Sequence, residues 1–290
     1  MPGPSTGPER AVSPTANTAG GTGPVTLDVL KRRIATLEHH APPTGGMAGG
    51  TAGAAPATVS LGLAALDQHL PWGGLPRAAL HEIAAASAPA AGGFAAALLG
   101  LSSRAHVGHT PGRPVVWCRR PARGFSPGLY GAGLARFGLG PGNLILAEAG
   151  DTPSVFWAME ECLKSRAVAA VLGEPGPGGA DRDGGRALRR LQLAAETSGV
   201  TAFLLLTGGA RATAANATPH AVMSPAVTRW RVGARPAAAG QGDTAWRVDL
   251  TRCRGGGRPG TGDVIWHVED GDGCDGTYAG AAAGGFRLAA

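Results

Sequence analysis

The hydrophobic positions of this chain fall into three regimes. Between residues 79 and 206, short apolar runs alternate with longer stretches whose apolar residues recur every three or four positions. The runs are 79–83 (ALHEI), 113–118 (RPVVWC), 143–148 (NLILAE), 167–172 (AVAAVL) and 200–206 (VTAFLLL). Apolar runs such as 167–172 and 200–206 predict strands buried on both faces, and 79–83 is read as a strand with His81 and Glu82 on or beside it. The spacing between them predicts helices over 94–102, 129–137, 155–166 and 186–198. Thr152 or Ser154 is placed to cap the third, and Gly199 to close the fourth. In the fourth, Leu188, Leu191, Leu193 and Ala195 are expected inward, with Arg186, Arg189 and Arg190 outward. Strands alternating with helices predict an α/β fold with a mainly parallel sheet flanked by helices.

The second regime begins near residue 228. Segments 228–232 (TRWRV) and 245–250 (AWRVDL) alternate polar and apolar positions, the mark of half-exposed strands. Residues 233–242 can close a hairpin between them, 251–260 (TRCRGGGRPG) read as a basic glycine-rich loop, and 264–268 (VIWHV) as a last strand. An antiparallel extension at the C-terminal edge of the sheet is expected. The third regime is the ends. Residues 1–24 lack apolar periodicity and predict a disordered tail. In 25–40, Leu27, Leu30, Ile34 and Leu37 fall at helical spacing, so an amphipathic helix is expected there, able to dock on its own domain or on a partner. A flexible linker (41–58), one folded domain (59–270) and a C-terminal tail (271–290) complete the division.

Composition changes little in this picture. The 49 glycines and 23 prolines concentrate in the tails, linker and loops. A net charge of +6 permits an acidic partner such as nucleic acid. Cys118, Cys162, Cys253 and Cys274 form no CxxC pair, so no zinc site or disulfide framework is indicated, and Cys118 and Cys162 sit in apolar runs expected in the core. No basic-then-apolar leader and no membrane-length apolar window stands out, so a cytoplasmic protein is expected. The eight histidines form no metal-ligand pattern, and no metal or cofactor is called for. His81 and Glu82 beside the first strand read as structural.

The chemistry of the chain is read mainly from one gap. Residues 60–99 have the layout of a phosphate-binding entry: a lead-in, an LP-x-GGLP turn, a strand, a small-residue loop and an apolar helix. A working loop of this kind carries GxxxxGK[ST], where backbone amides wrap the phosphates, lysine reaches them and the hydroxyl holds Mg²⁺. Here Gly92 and Gly93 are followed by Phe94 in the lysine position and Ala95 in the hydroxyl position. Only weak nucleotide binding through backbone amides remains open.

The run SLGLAALDxxLPxGGLPRAALHEI (from Ser60) resembles the start of the RecA recombinase core. Together with VVWCRR, LYGAGLARFGL, WAMEECLKSRAVAAVLGE, RRLQLAAETSGVTAFLLL, TRWRV and the stretch 246–260, it resembles the bacterial ImuA family. The resemblance implies a RecA-like core. It also implies a role in SOS-induced, error-prone translesion DNA synthesis, with an ImuB-like Y-family polymerase homologue, an error-prone DnaE-type polymerase and RecA as partners. RecA's water-activating glutamate has no counterpart after the second core strand, where Arg119 and Arg120 stand. Glu174 stands one position past the place of RecA's Walker B aspartate, and Thr207 at its polar sensor. The expectation is a non-catalytic adaptor. The alternatives are a nucleotide-dependent RecA paralogue or a SulA-type division inhibitor.

The C-terminal segment offers the contact candidates. Residues 228–259 hold seven arginines, with Trp230 and Trp246 interleaved. Arg229, Arg231, Arg247, Arg252, Arg254, Arg258 and Trp246 form the candidate surface for single-stranded DNA or a protein partner, since arginine grips phosphate and tryptophan stacks on bases. Strand alternation leaves a third reading open, with tryptophans in the core and arginines on a solvated face.

Overall fold

The computed structural model describes residues 56–62, 64–104, 113–121, 128–208, 224–236, 244–254, 260–268 and 284–288. The expected helix at 25–40, the tail at 1–24 and Arg258 lie outside them. In chain order the elements are β1 (Thr58–Val59), α1 (Ala64–Asp67), β2 (Leu75–Pro76), β3 (Leu80–Ala85), α2 (Ala88–Arg104), β4 (Val115–Arg119) and α3 (Gly131–Ala135). They continue with β5 (Leu144–Glu148), α4 (Thr152–Leu163), β6 (Ala170–Glu174), α5 (Gly179–Ser198) and β7 (Thr201–Leu206). The last are β8 (Thr228–Arg235), β9 (Thr244–Cys253), β10 (Gly260–Val268) and β11 (Gly284–Leu288).

Strands β3 to β11 form one sheet in the order β11-β10-β9-β8-β3-β7-β6-β4-β5. From β8 to β5 every neighbouring pair is parallel. From β8 outward, β9, β10 and β11 add antiparallel. This is the expected α/β architecture, a mainly parallel sheet flanked by helices with an antiparallel extension at the C-terminal edge. The short β1–β2 pair stands apart, and Asp67 ties it down by accepting from the Ser60 hydroxyl at 2.7 Å and the Leu61 amide at 3.0 Å.

Alternation along each strand divides the core in two. On one face Ile83, Trp117, Leu172, Phe203, Leu205, Trp230 and Trp246 pack under α2. On the other, Leu80, Val116, Cys118, Val171 and Leu204 pack under α4 and α5. Cys118 and Cys162 meet there, and the hydrogen bond with Cys162, followed by burial, pushes the Cys118 thiol well above its usual range.

Several boundaries differ from the sequence reading, each for a local reason. α2 starts six residues early, because 88–93 continue the helix instead of forming a loop. α5 starts at Gly179, and Gly178 enters it with φ 65°. Gly199 closes it at φ 81°, donating to the Ala195 carbonyl, as expected. Leu188, Leu191 and Ala195 are buried, but Leu193 is 55% exposed, because it lies off their three-to-four-residue stripe. The α4 cap is Asp151, whose carboxylate accepts from the Ser154 amide at 2.8 Å; Thr152 and Ser154 are inside the helix. β1 begins in the expected linker and β11 lies in the expected C-terminal tail, paired to β10.

The ribbon β8–β9 carries one irregularity. Arg229 lies opposite Arg252, yet Trp230 lies opposite Leu250, so Thr251 is a surplus residue. The Thr251 hydroxyl donates to the Arg229 carbonyl at 3.1 Å and fixes this bulge.

Candidate functional site

Two places on β3 carry the residues singled out by the sequence. The first is its carboxyl end. β3 ends at Ala85 and α2 begins at Ala88, so only Ala86 and Ser87 connect them. Both amides are occupied: each donates to the Val232 carbonyl of β8, at 2.9 and 3.3 Å. Pro89 has no amide hydrogen to offer. Gly92, Gly93, Phe94 and Ala95 are all inside α2.

Phe94 and Ala95 are fully buried. The Phe94 ring meets Trp246 edge-on at 5.9 Å and Trp230 at 6.3 Å, and Phe137 lies 6.0 Å from Trp246. Burying a side chain of that size contributes about 2–3 kcal/mol. Gly93 has a physical reason to be glycine: a β-carbon there would come within 3.2 Å of Trp246 Cζ2. Gly92, one position earlier, faces open space.

The second place is the amino half of β3, where two polar side chains stand in an apolar strand. His81 is fully buried and its pKa is pushed down to about 4, chiefly by burial. The neutral ring donates from Nε2 to the Pro76 carbonyl at 2.9 Å, which leaves Nδ1 to accept from the Thr228 hydroxyl at 2.8 Å. Thr228 Oγ1 in turn accepts from Trp230 Nε1 at 2.8 Å. The chain of bonds therefore runs from the strand's start to the aromatic group under α2.

Glu82 points to the opposite face and is fully buried. It accepts from Arg229 Nε at 2.6 Å and from the Ser224 hydroxyl. Arg229 is 8% exposed. Beside this pair, Arg252 Nη1 donates to the Ser224 carbonyl at 2.6 Å and Arg254 Nη1 to the Pro225 carbonyl at 2.8 Å.

The candidate contact surface is thus redistributed. Trp246 is a core residue and Arg229 the partner of a buried carboxylate, so neither presents itself to a ligand as the sequence suggested. Arg231 lies opposite Asp249 in the ladder, an arrangement of facing opposite charges, and Arg247 is in register with position 263 of β10. Arg252 is half-buried and Arg254 exposed at the amino edge. Sequence reasoning missed the Glu82–Arg229 pair. The available signal was a carboxylate within an apolar strand, which demands a buried cation; nothing local told which of the chain's arginines supplies it.

A third cluster stands at the carboxyl ends of β4 and β6. Arg119 is buried opposite Glu174, its Nε 3.9 Å from the carboxylate and without a hydrogen bond. Trp117 Nε1 donates to Glu174 at 3.2 Å, and burial raises the Glu174 pKa against the lowering effect of Arg119. Arg120 reaches Thr152 at 3.2 Å. Among the described residues no group of three metal-ligating side chains occurs, and no helix is long and apolar enough to cross a membrane.

Fold and core together define an α/β protein with a mainly parallel sheet and an aromatic-filled strand–helix junction. No family model matches the chain. Protein ImuA of Caulobacter vibrioides (strain NA1000 / CB15N) is 36% identical over 219 residues, 70% of this chain and 80% of that protein. Protein ImuA of the same species, strain ATCC 19089 / CIP 103742 / CB 15, matches to the same extent. The chain belongs to the ImuA family. Among solved structures, the crystal structure of the RadB recombinase is similar at 15% identity, with a TM-score of 0.48, over 71% of this chain and 94% of that one.

Proposed function

We propose that this chain is a non-catalytic adaptor in damage-induced, error-prone translesion synthesis. Its surfaces would engage an ImuB-like Y-family polymerase homologue, an error-prone DnaE-type polymerase and RecA, with nucleic acid as a further contact. The observation that carries the reading is Phe94, seated between Trp230 and Trp246 inside a helix. Phosphoryl transfer depends on positioning and on charge stabilisation. In this chain the lysine and hydroxyl positions hold a benzyl group and a methyl group. The two linker amides are already bonded to protein. At the end of β4, Arg119 and Arg120 stand where the resemblance implies a water-activating carboxylate.

Calorimetric titration with ATP and ADP, with and without Mg²⁺, tests the catalytic half. The expected outcome is no magnesium-dependent binding, and no turnover in Phe94→Lys/Ala95→Thr. Magnesium-dependent binding at micromolar concentration would instead make the chain a nucleotide-dependent RecA paralogue. Co-purification with the two polymerase subunits and with RecA tests the adaptor half. Retention of at least one is expected; retention of none overturns it.

A further inference from the structure

We propose that Arg252 and Arg254 form a clamp for the phosphodiester backbone of nucleic acid, touching phosphates and not bases. The proposal builds on the adaptor reading and names the nucleic-acid contact within it. The two side chains are two positions apart, and each is fixed by one Nη1 to consecutive carbonyls, Ser224 and Pro225. A guanidinium has five donor hydrogens in a rigid fork. One carbonyl bond each positions the pair and leaves most of the donors for an anion. Bidentate contact with phosphate oxygens is what such forks do well.

The charge at this corner is uneven. Arg229 is paired with the one carboxylate, Glu82, and Arg252 lies in the fields of Arg229, Glu82 and Arg254. After desolvation, the positive fields of Arg229 and Arg254 are among the causes that depress the Arg252 pKa, with Glu82 opposing them. A phosphate held there relieves the crowding. Elsewhere on the ribbon Arg231 lies opposite Asp249 in the ladder. The ribbon's tryptophans cannot stack on bases, because Trp230 and Trp246 are each 1% exposed. Contact through phosphates alone is therefore indifferent to base identity.

The test is fluorescence anisotropy of the full chain with a labelled 20-mer of thymidine and with a 20-mer of abasic residues, across a salt series. The two probes should bind within threefold of each other. Arg252→Gln/Arg254→Gln should weaken both at least tenfold and lower the log–log salt slope by about 1.4, or about 0.7 for each lost phosphate contact on a single strand. Arg252→Lys/Arg254→Lys keeps the charge and loses the forks; it should weaken binding about threefold at an unchanged slope. Unchanged affinity in either variant overturns the clamp. So does a tenfold loss on removing the bases, or competition by polyglutamate as strong as by the abasic strand. If polymerase-subunit capture persists while both probes fail to bind, the clamp falls and the adaptor reading stands. If capture fails while the probes bind as described, the adaptor reading falls alone.

Discussion

The two ends of β3 solve opposite problems. At the carboxyl end the strand meets its helix through a two-residue link, and rings fill the space. At the amino half the same strand carries a histidine and a glutamate, and every polar atom they offer is bonded. The first end is held by shape and the second by directional bonds. Non-directional packing tolerates small adjustments at a moderate cost. A buried ion pair does not, because removing one partner strands a charge in a low dielectric.

That contrast can be broken experimentally. The largest loss is expected from Glu82→Ala, which leaves the Arg229 guanidinium buried without its counter-ion: about 3–5 kcal/mol by urea unfolding. Glu82→Leu with Arg229→Leu should recover most of it; a double variant as damaged as the single one would contradict the ion-pair account. Phe94→Ala should follow, at about 3–4 kcal/mol, through the cavity left between two tryptophans.

Acid should act through His81. The unfolded chain takes up its proton near pH 6.5, while the folded ring resists until about pH 4. The unfolded state therefore binds more protons in that window, and stability falls as pH drops through it. The group's full contribution is present above pH 6.5, and up to roughly 3 kcal/mol is lost by pH 4. In His81→Gln that part of the pH dependence should vanish from the unfolding profile.

The smallest effects sharpen the comparison within one turn of α2. Gly92→Ala adds a methyl to open space in a helix and should stabilise by about 0.5–1 kcal/mol. Gly93→Ala gains the same propensity but presses on Trp246, and should be neutral to destabilising by about 1 kcal/mol. Thermal melts of the pair would show whether Trp246 yields; equal stabilisation by both would mean that it does.

The parallel strands were legible because a strand buried on both faces leaves an unbroken apolar run, as 200–206 and 167–172 do. The start of α2 was not. Gly92 and Gly93 read as loop by propensity, and the reason for a helical glycine lies over 150 residues away, in Trp246. Leu193 is apolar yet exposed, because its angular position lies off the stripe of Leu188, Leu191 and Ala195, which apolar character alone does not reveal. β11 was hidden in a glycine-rich stretch with one phenylalanine and one leucine. At the candidate site, strand alternation correctly separated Trp230 from Arg229. It could not reveal that the polar side of that ribbon is itself buried where it crosses Glu82.

Thr251 acts as a phase shifter. Trp246, Val248 and Leu250 occupy even positions and look into oil. Arg252 and Arg254 are also even, and an uninterrupted stride would drive the first of them under α2. The extra residue switches the parity of β9 at the last moment, so that a single uniform spacing in the gene serves grease on one side and guanidinium on the other.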